Sequence, residues 1–132
     1  MKDIFFSRLR FTPNAEEEEF VNVAVLLWTP DSKNLVLTHK SHEAHVEAHL
    51  NEEFRNFLKP RLEQIRTEVT VLEKNIQTWS INKLLSTSIG NIQVMIRMDG
   101  NIFSWGKKGL LSGDNPETAW VEYSSRKRHS VA

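Results

Sequence analysis

Four of the chain's five histidines, His39, His42, His45 and His49, fall within the stretch Thr38–Leu50, THKSHEAHVEAHL. On a helix His42, His45 and His49 share one arc, and His45 and His49 are four apart, a spacing that lets two imidazoles reach one ion. With Glu52 one turn on, or His39 before it, this cluster is where a metal-dependent hydrolytic enzyme would be built. The H-E-x-x-H pattern of zinc proteases is absent: Glu43 follows His42, but position 46, where the second histidine would stand, is Val46. The histidine arc borders the apolar arc of the same segment, where amphipathic side chains ordinarily sit. The expectation is a polar helix edge without a metal, with His42, His45 and His49 as the alternative ligand set.

Other chemistries find less support. The absence of cysteine removes disulfides, thiolate metal sites and thiol nucleophiles together. There is no G-x-x-x-x-G-K-[ST]; GKKGLLSG, Gly106–Gly113, has the glycines and lysines without the strand-loop-helix context. There is no G-x-S-x-G, and no carboxylate pair suited to acid–base work can be placed. No catalytic residue and no cofactor is therefore expected. Asn22 stands out inside FVNVAVLL, since a buried amide without partners costs about 1–3 kcal/mol. Glu16 to Glu19 read as a solvated run.

Charge is uneven along the chain. Residues 1–79 carry ten Lys/Arg against thirteen Asp/Glu, whereas residues 80–132 carry seven against four. That excess frames the nucleic-acid alternative: Lys107, Lys108, Arg126, Lys127 and Arg128 on phosphates, with Trp105 for stacking. No basic stripe elsewhere supports it, so 124–132 is expected to be a flexible, solvated tail after a single domain at 1–123. No apolar run approaches the ~18 residues of a membrane span. The opening MKDIFFSRLRF is broken by Arg8 and Arg10 and does not resemble a secretory signal. A soluble, cytoplasmic protein without membrane contact is expected.

The elements that must position these residues follow from periodicity. Residues 4–11 alternate as a strand, with Phe5, Leu9 and Phe11 on one face and Arg8 and Arg10 on the other. Phe20–Trp28 is apolar on both faces, the pattern of a central strand. The turn TPDSKN returns it into Leu35–Lys40 as a hairpin. Helix is expected after Ser41 on Val46, Leu50, Phe54, Phe57 and Leu58, ended or kinked at Pro60. A second helix carries Leu62, Ile65, Val69, Leu72, Ile76 and Trp79 in one seam facing the sheet. Asp99-Gly100 between alternating residues predicts a second hairpin, Ile96 opposite Phe103 and Val94 opposite Trp105. Asp114 or Asn115 before Pro116 caps a short last helix with Trp120 and Tyr123. The fold class is α+β: an antiparallel sheet of about five strands in two hairpins, with two main helices on one face.

Arg10-Phe11-Thr12-Pro13, followed by Glu19-Phe20-Val21-Asn22-Val23-Ala24-Val25-Leu26-Leu27, resembles the opening of an uncharacterised bacterial family, the domain of unknown function numbered 3037. Arg10, Pro13, Glu19, Asn22, Val23 and Val25 match its pattern, and Ala24 stands where the family usually has glycine. The resemblance covers residues 5–28. It implies a protein-interaction role, since some members look like small companions of a serine/threonine kinase-like toxin partner. It also makes Arg10, Glu19 and Asn22 the binding residues to follow. A non-catalytic module with a protein partner is the leading expectation, nucleic-acid binding the alternative.

Overall fold

The computed structural model describes residues 1–14, 19–39 and 52–130, with residues 13, 14, 19, 54 and 127–130 described in the backbone alone. Four strands form one antiparallel sheet in the order β3-β2-β1-β4. They are β1 (Lys2–Asn14), β2 (Glu19–Thr29), β3 (Asn34–Thr38) and β4 (Phe103–Gly113). The valine-rich run is central, as its two apolar faces require: every residue from Val23 to Trp28 is buried. A 3-10 turn at Pro30–Ser32 joins β2 to β3, with Lys33 in the left-handed region at φ 53°.

On one face lies α1 (Glu52–Ile76), followed by α2 (Ile81–Ser86) and α3 (Ile89–Met95). The predicted seam holds: Ile65, Val69 and Ile76 are in the core, and Leu62, Leu72 and Trp79 pack against it. Pro60, expected to end or kink a helix, does not end one: it lies inside the single helix Glu52–Ile76. Pro60 and Asn56 are both exposed, which puts the carbonyl left without its N–H on the solvent side of the helix. Trp28 is fully buried, and its Nε1–H donates to the Thr87 carbonyl at 3.2 Å, tying the α2–α3 junction to the sheet.

The opposite face is covered by α4 (Pro116–Ser130). Asn115 caps it, its Oδ1 accepting from the Thr118 N–H at 3.0 Å. Trp120, Phe6 and Tyr123 form a ring cluster with centroids 5.2–5.7 Å apart, over Ile4, Val25, Leu27 and Leu111. The two main helices therefore sandwich the sheet rather than sharing a face. Both segments assigned to separate helices around Pro60 contribute to α1, and the other face is left for α4. The helix also runs on through residues 124–130.

The expected second hairpin is absent among the described residues, which leaves four strands rather than five. Ser88 closes a capping box with Asn91, and Ile89, Ile92 and Ile96 are buried at helical spacing. Val94, expected opposite Trp105, is exposed on α3. A type I′ turn needs φ > 0 at both central residues, and neither Asp99 nor Gly100 has it. Asp99 Oδ1 accepts from the Asn101 N–H instead, opening a wider loop. Phe103 and Trp105 then pair with Phe11 and Leu9 of β1.

Among the described residues no helix is long and apolar enough to cross a membrane.

Candidate functional site

Two irregularities in the ladders shape the end of the sheet beyond α4's ring cluster. Between β1 and β2 the register steps from Leu9↔Ala24 to Arg10↔Asn22, so Val23 is the extra residue of a bulge. Between β1 and β4 it steps from Ser7↔Lys108 to Leu9↔Trp105, so Gly106 and Lys107 oppose Arg8 alone. Val23 and Ala24 both stay in the core on the α1 face. Asn22 is thereby delivered across from Arg10, on the face that bears α4. Such bulges re-aim side chains.

Arg10 lies over Phe20, its Cζ 4.5 Å from the ring centroid, a cation–π distance. From the other side it rests on the backbone of Gly106. A Cβ there would stand 3.2 Å from Arg10 Nε and 3.3 Å from Nη2. Close approach of the guanidinium is thus the reason for glycine at this position. Arg10 Nε and Asn22 Oδ1 are buried, and neither has a hydrogen-bond partner among the described residues. Two positions back on β1, Arg8 lies over the Phe6–Trp120 ring pair, its Cζ 5.0 Å from the Trp120 centroid and 5.8 Å from that of Phe6. Neither Arg8 nor Arg10 has a carboxylate in ion-pair range among the described residues. Two guanidiniums held against aromatic rings, without a carboxylate in ion-pair range among the described residues, have the chemistry that complements a planar anion such as a carboxylate.

The sequence candidates divide accordingly. Arg10 and Asn22 come together as cross-strand partners. Glu19 stands across from Asn14 rather than Arg10, and its side chain lies outside what the structure describes. Ala24, the residue in place of the family glycine, buries its methyl in the core on the face away from Arg10, so the position serves packing. Arg8 was visible by alternation as Arg10's neighbour on one face. Trp120, the ring beside Arg8, is distant in sequence, and nothing local marks Phe20 as the ring beside Arg10.

The basic residues do not converge. Lys107 and Lys108 are exposed on β4, and Lys108 Nζ approaches Gly90 of α3 on the α1 face. Arg126 is exposed on α4, across the sheet, and the side chains of Lys127 and Arg128 lie outside the description. Trp105 is half-buried against the core opposite Leu9 rather than offered for stacking. His42, His45 and His49 lie outside the described residues. Among those that are described, no group of three His, Cys, Asp or Glu side chains is placed to hold a metal ion.

The family model described as a protein of unknown function (DUF3037) matches residues 6–101. The chain belongs to that family. The match runs well past the first two strands, through α1, α2 and α3, and stops before β4 and α4. No curated protein matches the chain, and no solved structure does.

Proposed function

We propose that this chain is a small, cytoplasmic, non-catalytic interaction module that docks an acidic segment of a partner protein on Arg8, Arg10, Phe20 and Asn22. One observation carries the reading: Arg10's guanidinium is seated on Phe20 and Gly106, and among the described residues its buried Nε has no hydrogen-bond partner and no carboxylate lies in ion-pair range. A buried donor without an acceptor is unfavourable by about 1–3 kcal/mol, an expense relieved when a ligand supplies the acceptor. Asn22 adds an unused acceptor for a backbone or side-chain N–H next to that carboxylate. A kinase-like partner, as the family resemblance implies, is the first candidate to co-express.

Affinity capture from the source cell tests the proposal, with wild type and Arg10→Ala compared at low and moderate salt, with and without nuclease. A stoichiometric protein that survives nuclease and moderate salt, and is lost with Arg10→Ala, is the expected result. Recovery of nucleic acid alone, abolished by removing residues 124–132, would replace this function with the nucleic-acid alternative, because phosphate contacts weaken steeply with salt.

A further inference from the structure

At the other end of the same face, a cleft of about 580 Å³ runs along the outer edge of β3. That volume lies within the roughly 300–1,000 Å³ of ordinary ligand sites. Its walls come from both sides of the sheet: Glu73 from α1, and Glu117, Val121 and Glu122 from α4, with Asn34 and Val36 of β3 between them. A cleft lined in this way straddles the strand's free edge. β3 pairs only with β2, and Asn34–Leu37 make no other backbone hydrogen bond among the described residues.

Among the described residues neither sheet edge is paired with a further strand, but the two edges differ. β4 carries a bulge and the exposed pair Lys107 and Lys108, devices that discourage strand addition. β3, with the sequence NLVLT, has no lysine, no proline and no bulge. The cleft beside it is acidic, with three carboxylates and no basic residue in its lining. Its lining also holds an idle acceptor, Asn34 Oδ1, which is buried without a hydrogen-bond partner among the described residues. Directly across the β2–β3 ladder on the same face, the buried Thr29 hydroxyl also has none there. Carboxylates together with acceptors that lack donors are complemented by an ammonium or guanidinium, groups that only donate.

We propose that the edge of β3 receives an extended, lysine- or arginine-bearing segment of a partner protein as an added strand, one cationic side chain entering the cleft beside Glu73 and Glu122. Main-chain bonds to β3 supply affinity, and alternate side chains, directed to the α4 side, supply selectivity. This surface is separate from the arginine patch. Asn22 and Thr29 are seven residues apart on β2, on the order of 23 Å at strand rise.

The test is fluorescence anisotropy of the full chain with a labelled, end-capped peptide of alternating lysine and threonine. Saturable binding is expected, weakened about five- to tenfold by the double change Glu73→Gln with Glu122→Gln. It should be unchanged in Arg10→Ala, which separates this surface from the arginine patch. A peptide of the same charge with alternate backbone nitrogens methylated should not bind, and this arm needs no variant to fold. The proposal is overturned if the lysine–threonine peptide fails to bind or the methylated peptide binds as well. Displacement of the probe by spermidine at equal affinity overturns it too, by making the cleft a free-amine site. So does self-association of the chain abolished by the double change, which would make a second copy the occupant.

Discussion

Arg10 is positioned by contacts that hold its plane without using its hydrogen bonds. The stack on Phe20 is worth about 0.5–1 kcal/mol at a partly exposed site. Arg10→Ala is therefore expected to lower stability by about 1 kcal/mol or less, read as a small shift in the urea midpoint at constant slope, while partner capture is lost. Loss of folding in this variant would make Arg10 a structural residue. Arg10→Lys keeps the charge but not the planar fork, and should bind like Arg10→Ala rather than like wild type. Gly106 offers an independent check. The methyl of Gly106→Ala would press on Arg10 Nε and Nη2 and move the guanidinium by a few tenths of an ångström. Weakened partner binding with a nearly unchanged melting temperature is expected, and wild-type binding would show that the seating of Arg10 is immaterial.

Among the elements, α1 and α4 hold the two faces of the sheet, and each can be tested separately. Ile65 lies in the α1 seam with 2% exposure, and an aspartate there has no partner. Ile65→Asp is expected to destabilise by more than about 3 kcal/mol; an unmoved melting temperature would mean that α1 is not a core helix. On the other face, a Cβ at Gly109 would fall on the Phe6 ring. Gly109→Ala should cost about 1–3 kcal/mol through overpacking beneath α4, measured by thermal unfolding. What was legible in the sequence followed from strong periodicity: β1's two faces, the central β2, the seam from Leu62 to Trp79, and the Asn115 cap. Ile92, Val94 and Ile96 fit a strand's alternation, but Ile89, Ile92 and Ile96 fit a helix as well. The Ser88 cap decided between two patterns of similar local strength. Pro60 misled because its effect depends on which side of the helix meets water, which is a tertiary fact. Half of the arginine patch was readable, since Arg8, Arg10 and Asn22 sit near each other in sequence. The bulge that aligns Arg10 with Asn22, and the rings from β2 and α4 that seat the guanidiniums, come only with the assembled sheet.

At the scale of the whole molecule, one sheet clamped between α1 and α4 leaves the far end of the α4 face with two guanidiniums that have no counter-charge among the described residues. Membership of a family of unknown function is consistent with this picture but does not select among ligands, so the chemistry of the patch carries the functional reading. The most direct measurement is side-chain ¹⁵Nε NMR of the arginines during titration with a short glutamate-rich peptide, assigned by the signal missing from Arg10→Lys. The account predicts that the Arg10 and Arg8 signals shift and saturate together while Arg97 and Arg126 barely move. Equal, unsaturating movement of every arginine signal would contradict it, because the peptide would then be sensing general charge and not a built carboxylate receptor.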